Sequence, residues 1–152
     1  MIPNPTQFIQ LNQGWNAEPN APLPAAEADG DDLVLAFKLN GFAFERFAPG
    51  EMGFLRFHGC SRFRLGSVND EGWYRGQCRF SGLAPKWGEF YEVVGDVKAD
   101  APGLGWCPHA PVAGAKRHFL FYFRDETFEC TARDWSFDPR PDNALNRLDG
   151  AG

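Results

Sequence analysis

Apolar and polar residues alternate along most of the chain, and a period of two is typical of half-buried β-strands. The longest alternating run covers residues 53–65, and shorter runs lie at 6–12, 73–80 and 88–97. Successive side chains of a strand point to opposite faces, so each run places its apolar residues on one side. The pattern predicts sheets with one buried and one polar face, and almost no helix.

A first hairpin is predicted to turn at Asn40–Gly41. Asn-Gly readily takes the positive φ angles that a two-residue hairpin turn requires. Pairing about this turn sets Leu39 opposite Phe42 and continues back along both arms of the hairpin. One face of the pair is then apolar and the other mixed, as a sheet with one buried side requires.

A second hairpin is predicted over residues 117–133, with its turn at Asp125–Glu126. This register separates a face rich in Phe from a face rich in polar residues, and a slip of one residue would mix the two. The apolar face pairs Phe123 with Phe128, Phe121 with Cys130 and Phe119 with Ala132, and the opposite face carries His118, Leu120, Tyr122, Glu129, Thr131 and Arg133.

Together these elements predict a single all-β domain over residues 1–152, an ordinary length for one domain. We expect an antiparallel meander of about seven or eight strands that forms a barrel-like or strongly curved sheet. A two-layer β-sandwich is the alternative, because both architectures manage sheet edges and alternation does not separate them. Segments 13–30 and 100–116 are predicted to be long loops, and one short C-terminal helix is expected at 143–148.

Composition adds an aromatic bias and an acidic balance. The chain has 15 Phe, 5 Trp and 3 Tyr, and large rings suit the pleated surface of a sheet. Its net charge of −5 argues against general affinity for nucleic acid or an anionic membrane. The sequence shows no signal peptide and no apolar stretch long enough for a membrane helix, so a cytoplasmic protein is expected. The sequence does not decide whether the chain forms homo-oligomers. The widely spaced cysteines at 60, 78, 107 and 130 are expected to be free thiols.

Basic side chains occupy the alternate positions that form the polar face of the predicted strands at 53–65 and 73–80. Guanidinium groups bind carboxylate and phosphate through two parallel hydrogen bonds, so this stripe predicts a site for a small anionic ligand or an acidic protein. The alternative is a solvated outer face whose charges are balanced by Glu on neighbouring strands. With one tyrosine from the second hairpin, the candidate ligand-binding residues are Arg56, His58, Arg62, Arg64, Arg75, Arg79 and Tyr122.

Catalytic and metal-binding motifs do not emerge from the sequence. It has no nucleophile elbow, P-loop, dinucleotide fingerprint or zinc-finger spacing, so no catalytic residue, metal or cofactor is predicted. Cys60 shares the polar parity with His58 and the arginines, surroundings that lower a thiol pKa. Cys130 lies on the apolar parity, where a thiol behaves as a small inert hydrophobe.

Three classes of function follow from these features. A noncatalytic binding or interaction domain is favoured, and the protein is expected not to be an enzyme. The alternative is a carrier of a small anionic ligand, with a pocket lined by Arg and Tyr. The third is a hydrolase or isomerase on a β scaffold. Convergence of Arg56, Arg62, Arg75 and Tyr122 on an enclosed cavity would favour the carrier, whereas an open sheet face would favour interaction or solvation.

Overall fold

The computed structural model describes residues 7–20, 22–48, 50–66, 89–94, 107–115, 117–123 and 127–139. Within these ranges the chain forms antiparallel β-strands and no helix, which confirms the predicted fold class. The predicted strand at 73–80, the turn at 125–126, the helix at 143–148 and the side chains of Arg75 and Arg79 lie outside the described residues. The strands are β1 (Gln7–Gln10), β2 (Ala25–Asp29), β3 (Asp32–Lys38), β4 (Met52–Gly66), β5 (Phe90–Val94), β6 (Cys107–Pro108), β7 (Arg117–Tyr122) and β8 (Thr127–Asp138).

These strands form one sheet in the order β1-β5-β7-β8-β4-β3-β2, with β6 paired to β4. The predicted meander is wrong for the described strands, because β4 lies between β3 and β8 instead of following the order of the chain. The long β4–β8 pairing sets Leu55 opposite Phe137 and Phe57 opposite Trp135. It therefore brings apolar side chains that are distant in the sequence together on one face.

The first hairpin turns at Gly30–Asp31 and not at Asn40–Gly41. Asp29 lies opposite Asp32 at the end of the β2–β3 ladder, and Gly30 has a φ of 62°, which only glycine adopts easily. Strand β2 therefore occupies part of the segment 13–30 that was predicted to be a loop.

The predicted pairing about Asn40–Gly41 is wrong because β3 pairs with β4 on that side. The Oδ1 atom of Asn40 accepts hydrogen bonds from the backbone N–H groups of Phe42 and Ala43, each at 3.1 Å. A turn closed by the Asn40 side chain satisfies these backbone groups locally, so it is an alternative to pairing them with a strand. Phe42, expected in the core opposite Leu39, is 78% exposed.

The second hairpin has the predicted faces but a different register. Phe121 lies opposite Phe128 and Phe119 opposite Cys130, a displacement of two residues from the predicted pairs. A shift by two keeps every side chain on its face, whereas a shift by one would not. The predicted apolar face is therefore confirmed, and Phe123 joins these residues in the core.

The core lies on one face of the sheet and is built largely of aromatic rings. Trp15, from the segment between β1 and β2, stacks on Phe137 with 4.0 Å between ring centroids. Asn12 holds this segment in place: its Nδ2 donates to the Trp15 carbonyl at 2.8 Å, and its Oδ1 accepts from the Phe90 N–H at 3.1 Å. These contacts dock Trp15 on the core. The other large rings of the core are Phe37, Phe57, Phe90, Phe119, Phe121, Phe123 and Phe128.

Strand β4 departs from simple alternation around Gly59, which has a φ of 59°. Two residues later the register with β8 shifts between Cys60 and Arg62, as in a β-bulge. These two irregularities turn Cys60 into the core, while Phe63 packs on the core again beyond them. The placement of Cys60 on the polar face was therefore wrong, because strict alternation does not hold through a bulge.

Three cysteines in the described part of the chain are free thiols, namely Cys60, Cys107 and Cys130. A hydrogen bond with Cys130 lowers the pKa of Cys60, although burial opposes this. Burial raises the pKa of Cys130 well above its ordinary value, and the contact with Cys60 adds to the effect. The expectation that Cys130 is a buried small hydrophobe is confirmed.

Candidate functional site

The four basic candidates of β4 all lie on the face opposite the aromatic core, here called the outer face. They form two groups, because Gly59 and the bulge separate them along the strand. Arg56 and His58 lie where β4 pairs with β3 on one side and with the end of β8 on the other. Arg62 and Arg64 lie opposite Thr131 and Glu129 of β8. The predicted stripe is therefore two distinct sites.

The first group is a charge-balanced network centred on Arg56. Its NH2 atom lies 2.7 Å from an oxygen of Asp29, and its NH1 atom lies 3.0 Å from an oxygen of Asp32. Partial burial disfavours the cation, but the hydrogen bonds with both carboxylates raise the pKa of Arg56. Two carboxylates already neutralise this guanidinium, so it is a poor candidate for binding an anionic ligand.

His58 bridges β3 and β8 within the same group. Its Nε2 lies 3.0 Å from Ser136 Oγ, and its Nδ1 lies 3.6 Å from Asp32 Oδ2. The other oxygen of Asp32 accepts the backbone N–H of Gly59 at 2.9 Å. The bend that turns Cys60 inward therefore also supplies a hydrogen bond that holds Asp32 beside the imidazole.

Asp32 makes the stability of the fold depend on pH. Partial burial favours the neutral form, but the Gly59 N–H, Arg56 and His58 together lower the pKa of Asp32. The contribution of a carboxylate with a lowered pKa is present above the ordinary Asp pKa of about 4 and is lost as pH falls through the lowered value. We expect Asp32→Asn to lose about 1–2 kcal/mol of unfolding free energy at pH 7 and less below pH of about 4.

Urea denaturation of the wild type and of Asp32→Asn between pH 3 and pH 7 measures this effect (the pH range spans the ordinary Asp pKa of about 4). Asp31→Asn is the matched control, because Asp31 is an exposed neighbour on the same turn. A constant difference between wild type and Asp32→Asn across the whole range would contradict the assigned role.

The second group is here called the polar cluster and consists of Arg62, Arg64, His118, Glu129 and Thr131. His118 Nε2 lies 3.0 Å from a carboxylate oxygen of Glu129, with the two residues only 3% and 1% exposed. Arg64 Nε lies 3.8 Å from the other Glu129 oxygen, and Arg62 Nε donates to Thr131 Oγ1 at 3.3 Å. The polar cluster thus joins two arginines to the buried His118–Glu129 pair across β7, β8 and β4.

Sequence reasoning missed the pairing of His118 with Glu129, although it placed both on the polar parity of the second hairpin. The displaced register sets Leu120 opposite Glu129 and His118 opposite Thr131, so His118 and Glu129 are diagonal neighbours. The outer face here is buried as well as the core face, since Tyr91 and Leu120 are fully covered. Alternation alone identifies a polar face and does not reveal that it is covered.

Tyr122 lies on the same face as the polar cluster, one step further along β7. It is opposite Thr127, which in turn lies opposite Gly66 of β4. Its side chain is fully buried. The structure therefore brings Tyr122 to the part of the outer face that carries Arg62 and Arg64, whereas Arg56 and His58 lie on the other side of Gly59 along β4.

His109, which follows β6, contacts the backbone of the β2–β3 turn. His109 Nε2 lies 2.9 Å from the Gly30 carbonyl and 3.1 Å from the Asp32 carbonyl, which identifies this nitrogen as the donor. Cys107, its neighbour in β6, is exposed. The part of the chain that the structure describes contains no group of three His, Cys, Asp or Glu side chains placed to bind a metal ion.

Among the described residues no helix has the length and hydropathy of a membrane span. Comparison of the chain with protein-family models, with curated proteins and with solved structures finds no match.

Proposed function

We propose that the domain binds a small anionic ligand at the polar cluster, and that Arg62 and Arg64 make the contacts. The observation that carries this proposal is the pair of arginines beside the buried His118–Glu129 hydrogen-bonded pair. Burying polar groups costs free energy, so a buried polar network is often kept for a purpose other than stability.

The pairing of two arginines favours this group over the network around Arg56. The polar cluster sets Arg62 and Arg64 on one face of β4, whereas Arg56 is a single cation between Asp29 and Asp32. Arg62 and Arg64 are two residues apart on one strand, a separation of about 7 Å, which suits a phosphate group or a compact dicarboxylate.

The core face of the sheet does not offer a binding site for such a ligand. Aromatic rings fill the core face, and the candidate arginines lie on the opposite face. The ligand would therefore bind at the partly exposed side chains of Arg62 and Arg64, beside the covered part of the outer face. This supports a binding domain over a carrier whose arginines line a cavity in the aromatic core.

We infer a barrel-like sheet from the segment that follows β1. The N–H of Leu11 donates to Phe90 of β5 at 2.9 Å, and the carbonyl of Asn16 accepts from the N–H of Asn40, just beyond β3, at 3.0 Å. Five residues span at most about 18 Å, so the β5 side and the β3 side of the sheet lie close together here. Such closeness favours strong curvature over a flat, open sheet.

Binding is tested by isothermal titration and thermal shift with inorganic phosphate and citrate as probes. The wild type should be stabilised as probe concentration rises, by about 2.7 kcal/mol at a hundredfold excess over Kd. Arg62→Gln with Arg64→Gln should abolish the shift. Arg46→Gln, which removes an exposed arginine far along the chain, is the matched control and should retain it. An unstabilised wild type, or an equal shift in the double variant, would refute the proposal.

A further inference from the structure

We propose that Ser136, His58 and Asp32 form a nucleophilic triad that accepts an acyl group from an activated ester. His58 Nε2 lies 3.0 Å from Ser136 Oγ, and His58 Nδ1 lies 3.6 Å from Asp32 Oδ2. Each imidazole nitrogen thus faces the group that a serine nucleophile and its orienting carboxylate require. A loose contact between base and orienting acid is common in the absence of substrate.

Sheet pairing brings these three residues together from distant parts of the chain. Asp32 begins β3, His58 lies near the middle of β4, and Ser136 lies near the end of β8. Leu33 pairs with Phe57, which sets Asp32 beside His58, and Arg56 pairs with Ser136. All of them therefore share the outer face, and Ser136 is exposed there while His58 is partly exposed.

The surroundings of Asp32 suit an orienting role. Its Oδ1 accepts the Gly59 N–H at 2.9 Å, and Arg56 lies 3.0 Å from its Oδ2. Both contacts favour the carboxylate, which in turn favours a proton on His58 Nδ1. The lone pair of Nε2 is then directed at Ser136 Oγ, so His58 can act as the general base.

The reaction proceeds in two balanced steps. Ser136 Oγ attacks the carbonyl carbon as its proton passes to His58 Nε2, and the tetrahedral intermediate expels an alcohol or thiol that takes this proton. Water then attacks the acyl-serine ester with His58 again as base, which releases a carboxylic acid and restores Ser136.

Substrate class follows from exposure and charge. Among the described residues Ser136 is exposed and His58 is partly exposed, so the triad suits small acyl groups with a good leaving group. The polar cluster lies on the far side of Gly59 along β4 and shares no residue with the triad. The two proposals can therefore fail separately.

The direct test is labelling of the full chain with a fluorophosphonate probe, followed by peptide mass spectrometry, together with hydrolysis of p-nitrophenyl acetate. We expect the label on Ser136 and a loss of hydrolysis of at least about tenfold in Ser136→Ala and in His58→Gln. Ser61→Ala is the matched control on β4, because Ser61 Oγ donates to the Thr131 carbonyl instead, and it should keep both signals.

Circular dichroism of each variant establishes that it is folded, and Ser136→Ala removes only an exposed hydroxyl. Label at Ser136 that disappears in His58→Gln supports the triad. Absence of label at Ser136 in the native protein, or label that persists unchanged after heat denaturation, would overturn it. Equal ester hydrolysis in wild type and Ser136→Ala would do the same.

Discussion

Phe121→Ala is expected to lower the free energy of unfolding by about 3–5 kcal/mol. Phe121 is fully buried, and its ring packs near those of Trp15, Phe37 and Phe123, with the ring centroids of Phe121 and Phe123 4.2 Å apart. Truncation leaves a cavity among rigid rings that cannot easily collapse into it. Chemical denaturation in urea or guanidinium chloride measures the loss.

Phe42→Ala is the matched control for this core substitution. Phe42 is 78% exposed, so the same truncation should change the unfolding free energy by no more than about 0.5 kcal/mol. Equal losses in the two variants would show that the aromatic core is assigned to the wrong residues. This pair is informative because the two predicted hairpins, about Asn40–Gly41 and about Asp125–Glu126, had placed Phe42 and Phe121 on apolar faces.

Glu129→Ala is the second substitution with a large expected effect, a loss of about 3–5 kcal/mol. Glu129 is 1% exposed and lies 3.0 Å from His118 and 3.8 Å from Arg64. Its removal leaves two basic groups without the carboxylate that compensates them, which costs more than the pair itself contributes. Thermal and urea unfolding of the variant measure this loss.

A double variant separates an uncompensated charge from simple loss of packing. Glu129→Leu with His118→Leu removes both partners and fills the space with apolar groups, so it should be more stable than Glu129→Ala by about 1 kcal/mol or more. A matched exposed carboxylate, Glu45→Ala, should change stability little. If the double variant is less stable than Glu129→Ala, the loss of the Glu129 carboxylate from its buried partners is not the source of the effect.

These two substitutions probe opposite faces of the same strands. Phe121 and Phe128 point into the aromatic core, while His118 and Glu129 lie on the covered outer face. A sheet that is buried on both sides tolerates neither a cavity nor an uncompensated charge. The outer face of β7 and β8 is for this reason a constrained surface, and the arginines of β4 lie beside it.

The sequence predicted the face on which several outer-face residues lie, but it did not predict their partners. Arg62, Arg64 and Tyr122 were correctly placed on polar faces, because the two-residue period holds along β4 beyond its bulge and along β7. The partners of Arg56 depend on the β2–β3 turn at Gly30–Asp31, which brings Asp29 and Asp32 to the same guanidinium. That turn was overlooked because Asn40–Gly41 carries the stronger local signal.

What the sequence determined by itself is local. Alternation establishes the β class and assigns Phe119, Phe121 and Phe128 to one face, because the direction of a side chain follows from the backbone of its own strand. The hairpin prediction at Asn40–Gly41 was wrong because a favourable turn sequence does not reveal whether another strand makes a better pairing.

Only the tertiary structure decided which strands are neighbours. The pairing of β4 with β8 is set by burial of apolar surface between segments far apart in the chain, and it brings Ser136 to His58 and Glu129 to Arg64. Gly59 and its bulge then decide which residues of β4 face the core, and they turn Cys60 inward. Hydrogen bonds across a sheet depend on register over the whole fold, so neither candidate site could be assembled from the alternating pattern alone.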